Sequence, residues 1–187
     1  MFALRFASLF LLTSTSLVAA SPVAAPAPVA AVDKRANADI AGVLDTLTTT
    51  VGTILPQIDS LVSSGTATDA TVTPLVNDLT GAFDTATAAL AALPASRKRQ
   101  SDDDIAKTVA ALLTDVANTL DGLLGTAATV PTLGVLLGGI DTSLAQVLRG
   151  LETLLAGVLN LVANLLTNVA ALLRNLALGL TLAALGL

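Results

Sequence analysis

The chain reads as an all-α, bundle-like protein: two duplicated helical hairpins followed by a long apolar C-terminal helix. Three observations predict it. Apolar residues recur at helical spacing in each half, the halves share an ordered series of landmarks, and a Leu/Val seam steps by fours and threes through the C-terminal third.

At the N-terminus, Arg5 supplies a basic n-region, Phe6 to Leu12 an apolar h-region and Val18-Ala19-Ala20 a small-residue cleavage pattern, so residues 1–20 read as a signal peptide. Residues 21–35 form a pro-segment. Its Pro- and Ala-rich stretch Ser21–Val32 argues against a regular element, and it ends at Lys34-Arg35, where a kexin-type protease would cut to leave Ala36 first. A second basic run, Arg97-Lys98-Arg99, follows Pro94 and makes residues 97–100 either a processing site or a solvated linker. Residues 36–96 are then the first hairpin, and 101–187 the second hairpin with the C-terminal helix.

The halves are related landmark by landmark. Asp39-Ile40-Ala41 matches Asp104-Ile105-Ala106, and each opens a stripe: Ile40, Leu44, Leu47, Val51, Ile54, Ile58, and Ile105, Val109, Leu112, Val116, Leu120, Leu123. Gly65-Thr66-Ala67 matches Gly125-Thr126-Ala127. Pro74, Gly81 and Asp84-Thr85 match Pro131, Gly138 and Asp141-Thr142. Pro74, preceded by Thr73, suits the first position of a helix capped by the threonine hydroxyl. Within the first helix Pro56 cannot donate to the Gly52 carbonyl, which predicts a kink rather than two elements, because the stripe continues to Ile58 and Leu61.

The C-terminal seam consists of Leu144, Leu148, Leu151, Leu155, Val158, Val162, Leu165, Val169, Leu172 and Leu176. Val147, Leu154, Leu161, Leu159, Leu166 and Leu173 widen it. A polar strip of Glu152, Asn160, Asn164, Asn168 and Asn175 is left for water. One reading is a core helix wrapped by the hairpins. A membrane span is disfavoured by asparagines inside its apolar window and the lack of a basic flank, and a lipid-anchor signal by its apolar spacer. Exchange between core and interface is the remaining reading. A helix of roughly 35 residues is ~50 Å long and presents a face of ~500 Å². Laying that face on an apolar surface gains ~12 kcal/mol gross, against the ~5–15 kcal/mol by which a whole domain is stable.

Composition excludes several classes. The 187-residue chain has no Cys, His, Trp or Tyr, so disulfides, thiolate or histidine metal sites and nucleophile–base pairs built on His or Cys cannot form. Only one glutamate, Glu152, is present. Asp102-Asp103-Asp104 suits the first turn of a helix better than acid–base chemistry. We therefore expect no enzyme, no catalytic residues and no cofactor. A net charge of −5, from scattered Asp with very little base, leaves no phosphate-binding patch, so nucleic acid is not an expected partner. Thr and Ser between Thr46 and Thr87 are candidates for O-glycosylation; no Asn-x-Ser/Thr sequon occurs.

A signal peptide, absence of cysteine, a more hydrophilic first half ending its pro-segment at Lys34-Arg35, and a strongly apolar second half resemble a group of small secreted proteins of mushroom-forming fungi. These act beside hydrophobins at the cell surface and in the hyphal matrix. A looser resemblance is to the hydrophobic-surface-binding and cell-wall mannoprotein family. Hydrophobins themselves are excluded, because their eight cysteines are missing. The resemblance implies a secreted structural or surface-active protein of the fungal wall or matrix, which mediates attachment to hydrophobic surfaces and aerial growth. Its expected partners are apolar surfaces or the air–water interface, with wall polysaccharide, lipid and self-association as further candidates. Two alternatives are a secreted lipid-binding carrier and a precursor of dibasic-processed surface-active peptides.

Overall fold

The computed structural model describes the backbone of residues 29–93 and 102–187. Among these residues the chain forms helices only: α1 Val29–Ser63, α2 Asp69–Ala91, α3 Asp102–Leu124, α4 Leu133–Leu154, α5 Val158–Leu165, α6 Ala170–Asn175 and α7 Gly179–Leu185.

The predicted stripes of α1 and α3 are buried at every position, and α2 adds Val72, Val76, Leu79, Phe83, Ala86 and Leu90. At exposed positions of α1, Thr46 and Thr50 donate their hydroxyls to the Gly42 and Thr46 carbonyls, each at 2.9 Å. Those bonds absorb the polar groups of a β-branched run within the helix. The helix continues through Pro56 to Ser63, and past its end Gly65, at a φ of +67°, lets the Thr66 N–H reach the Leu61 carbonyl at 3.0 Å.

The described start of α2 differs from the expected one. It begins at Asp69, because the Thr71 hydroxyl accepts the Thr68 N–H at 2.9 Å. Pro74 therefore lies inside the helix, where it withholds a donor from the Ala70 carbonyl. Helix α1 likewise begins earlier than expected, since Val29–Val32 and Lys34-Arg35 are already helical. Past Pro28 the Ala-rich sequence contains no breaker. The signal peptide and Arg97-Lys98-Arg99 fall outside the described residues.

Helices α1 and α2 pack as the expected hairpin, but α3 and α4 do not pack against each other. Instead α3 lies on α1 and α4 on α2, so each helix pairs with its counterpart in the other half. Both pairs run parallel. Asp45, midway along α1, and Asp104, in the first turn of α3, flank one groove, while the Thr119 hydroxyl donates to Asp59 Oδ2 at 3.3 Å near the C-terminal ends of both helices. At the start of α4, the Thr132 hydroxyl donates to Asp69 Oδ1 at 2.7 Å, which joins the first turns of α2 and α4. The space between α3 and α4 is occupied by α5, α6 and α7: α3 packs on α5 and α6, and α4 on α5 and α7.

The expected single C-terminal helix is thus replaced by a folded-back series of short ones. A straight rod would carry the seam away from the bundle, whereas three interruptions return it to the apolar faces of α3 and α4.

Because the pairings α1–α3 and α2–α4 both cross the linker, a chain cut after Arg99 is expected to remain one particle. Native size exclusion should give a single peak, and denaturing electrophoresis two bands. Separate native peaks would contradict this packing.

Candidate functional site in the C-terminal segment

Helix α4 buries Leu133, Leu137, Ile140, Leu144, Val147, Leu148, Leu151 and Leu154, a face wide enough to meet both α2 and the returning chain. It stops at Leu155, whose backbone leaves the helical region, and Gly157 follows at φ +94°. The Glu152 carboxylate fixes this bend. Its Oε1 accepts the Gly157 N–H at 2.8 Å and its Oε2 the Leu159 N–H at 3.2 Å, which satisfies two donors at the start of α5. The only glutamate of the chain, expected in the polar strip, is therefore half-buried and acts as a helix cap.

A second carboxylate acts over a longer distance. Asp141, on α4 and only 6% exposed, accepts the Leu180 N–H at 2.9 Å and the Thr181 N–H at 2.8 Å. It caps α7 from outside. Its counterpart in the first half, Asp84, is exposed, so the shared Asp-Thr landmark has diverged in use. Between these caps, α6 ends with Ala177 at φ +56°, the only described non-glycine residue at positive φ, where the Leu178 N–H reaches the Leu173 carbonyl at 3.1 Å. An L-alanine in the left-handed region costs about 1 kcal/mol.

These bends change which residues the seam buries. Leu144, Leu148, Leu151, Leu155, Val158, Val162 and Leu176 are in the core, together with the flanking Val147, Leu154, Leu159, Leu166 and Leu173. Leu165 is instead 49% exposed, and Val169, Leu172 and Leu161 are half-buried. Past Val162 the inward row is offset by one residue from the seam, running through Leu166, Ala170 and Leu173, and the offset begins in the last turn of α5, where Leu165 faces outward and Leu166 inward. Asn160, Asn164, Asn168 and Asn175 are exposed. No described helix is long and apolar enough to cross a membrane.

Two further grooves lie on the surface. One of about 650 Å³ runs between α1 and α2 over a floor of Leu47, Ala82, Ala86 and Ala89, with Asp39 and Asp78 at its edge. Another, about 570 Å³, lies between α2 and α4 and includes Thr87, whose buried hydroxyl has no partner. Among the described residues no cluster of three or more His, Cys, Asp or Glu side chains could hold a metal ion.

The two capping carboxylates escaped the sequence reading. The spacing Glu152-x4-Gly157 was a usable local signal, but the apolar seam running through it indicated continuity. Asp141 meets backbone 39 and 40 residues away, which no local pattern encodes.

Glu152→Ala should cost about 1–2 kcal/mol by leaving the first donors of α5 without an acceptor. Ala177→Gly should add about 0.5–1 kcal/mol by removing the left-handed penalty. In a domain of this size each kcal/mol moves the Tm by roughly 2–4 °C. Thermal unfolding should therefore show shifts of opposite sign, and equal or same-sign shifts would contradict these local geometries.

No protein-family model matches the chain. A curated protein, fruiting body differentiation protein 16 from Flammulina velutipes, is 47% identical to it over 70 residues. The aligned region covers 36% of this chain and 55% of that protein, so the chain spans about half the length of the curated relative it matches.

Proposed function

We propose that this chain is a secreted, non-catalytic structural protein of the fungal cell exterior. In this reading it serves fruiting-body development by coating apolar surfaces and promoting hyphal attachment and aerial growth. The observation that carries the developmental part is the 47% identity to the Flammulina velutipes fruiting body differentiation protein. The surface-active part is supported by the amount of Leu, Val and Ala in the C-terminal segment and by the way its core is built. Phe83 is the only aromatic residue after Phe10, and no disulfide is available. Aliphatic packing of this kind specifies one arrangement less strongly than an interlocked aromatic core. An apolar interface, which offers the same side chains an equivalent environment, can then compete with it.

A second reading is favoured by the groove between α1 and α2. Its floor is apolar and its volume of about 650 Å³ suits a single acyl chain. As a lipid carrier, the protein would be recovered from its source with stoichiometric fatty acid or sterol.

One preparation tests both. Protein from culture medium, freed of other components, should lower the surface tension of water and adsorb to fluorocarbon beads, and solvent extraction should release no stoichiometric lipid. Disruption of the gene in the producing fungus should reduce hyphal attachment to the same fluorocarbon. Unchanged surface tension together with unchanged attachment would reject the surface-active function, and one bound lipid per chain would establish the carrier.

A further inference from the structure

The folded protein hides nearly all the residues with which it would adhere. Among the described large hydrophobic residues only Val135, Leu165, Leu180 and Leu187 are exposed, and they belong to separate elements. Adhesion through this surface alone would engage few side chains. The apolar side chains available in number are those of α4–α7, and in the bundle they face α2, α3 and one another.

The same segment has a second, regular arrangement written into it. No proline follows Pro131, so the backbone from α4 to α7 is free of a covalent helix breaker. Drawn as one helix at about 100° per residue, its polar side chains Gln146, Arg149, Glu152, Asn160, Asn168 and Arg174 fall within an arc of about 160°. The full seam from Leu144 to Leu176 lies on the opposite side, including Leu165, Val169 and Leu172, which the folded form leaves out of its core. In the bundle the alternative is prevented at three places: Glu152 holding the bend at Gly157, Asp141 holding the start of α7, and the left-handed turn at Ala177.

We infer that the surface-binding element of this protein is the α4–α7 segment in a straightened form, a continuous amphipathic helix whose partner is an extended apolar surface. The inference rests on the surface-active reading above and specifies which residues meet the surface. Straightening releases the N–H groups held by Glu152 and Asp141 into ordinary helical bonds and relieves the backbone at Ala177. It also uncovers the faces of α3 and α4, which can then lie on the same surface. The asparagine side stays in water in both arrangements, so only the apolar side changes partner.

The distance between the starts of α4's second half and the end of α7 reports the change. Thr142 and Ala183 are both exposed, and in the bundle they are near neighbours because Asp141 accepts the Thr181 N–H at 2.8 Å. In one helix they would be about 60 Å apart, at about 1.5 Å per residue. Thr142→Cys and Ala183→Cys introduce the chain's only thiols, and a donor–acceptor dye pair there should show efficient energy transfer in solution. Transfer should be lost when the protein adsorbs to fluorocarbon beads. A second variant, Asp141→Cys with Leu180→Cys, tethers α7 to α4 when oxidised. It should adsorb less than the same protein after reduction. Adsorption with transfer retained, or adsorption equal in the oxidised and reduced states, would overturn the straightened helix while leaving surface activity intact. Failure of the labelled and unlabelled proteins alike to adsorb would overturn both.

Discussion

The burial of the C-terminal segment between α3 and α4 is the constraint on which the remaining architecture depends. Those two helices do not pack extensively on each other, and the apolar faces they turn toward the C-terminal segment are covered by α5, α6 and α7. A cysteine-free chain with a single aromatic residue past its first ten positions has no other means of closing that side. Neither a disulfide nor a large ring is present to bridge the gap, and aliphatic side chains must reach across it in number. Leu148, Leu151, Val158, Val162 and Leu166 do so, each with essentially no exposure. The density of leucine in the last third of the chain follows from this need: the segment must be apolar on more than one side, since it meets α3, α4 and itself.

The pairing of corresponding helices follows from the same requirement. A helical hairpin of two amphipathic elements buries one stripe, but leaves uncovered apolar residues such as Leu90, which meets α4 at Gly150. Placing α3 on α1 and α4 on α2 covers these from the other half, and parallel alignment brings similar sequences into similar registers. Polar contacts mark that register without supplying much of the stability. The Asp69–Thr132 and Asp59–Thr119 bonds lie at or near the surface, where each contributes about 1 kcal/mol. Gly150, where an added Cβ would stand 3.7 Å from Leu90, shows how closely α2 and α4 approach.

What was legible in the sequence was whatever repeats over a few residues. The stripes of α1 and α3 could be read because burial on one side of a helix enforces a 3.6-residue period, and the all-α class follows from them. The start of α2 was harder: Pro74 is a strong signal for a first turn, yet the Thr68–Thr71 capping arrangement one turn earlier prevailed. In the C-terminal segment two patterns conflicted. The regular seam argued for continuity through Gly157, whereas the bend depends on tertiary space between α3 and α4 that exists only once the bundle has formed. The part of the candidate site that escaped reading, Asp141 capping α7, is a contact between distant residues whose identity as acceptor and donor is set by the fold. The exposure of Leu165 escaped for a related reason, since the phase of a helix after a turn is not determined by the sequence before it.

The opposition between seam and bends has a simple physical origin. In water, a straight helix from α4 to α7 would satisfy its internal backbone bonds but expose the whole apolar side. Folding back buries that side, and each interruption then frees N–H and C=O groups that must find other partners. Glu152 provides acceptors at the α4–α5 interruption, the Leu166 carbonyl accepts the Val169 and Ala170 N–H groups at the α5–α6 turn, and at the α6–α7 interruption Asp141 accepts two N–H groups while a left-handed alanine allows the chain to turn and bond to itself. The bent form is thus favoured by the cost of exposing leucine to water and opposed by local backbone preference. An apolar surface reverses only the first of these, because it removes the leucines from water without requiring any bend. The local preference for a continuous helix then acts unopposed, and the residues that adapt the segment to the bundle, Glu152, Gly157 and Ala177, cease to be necessary.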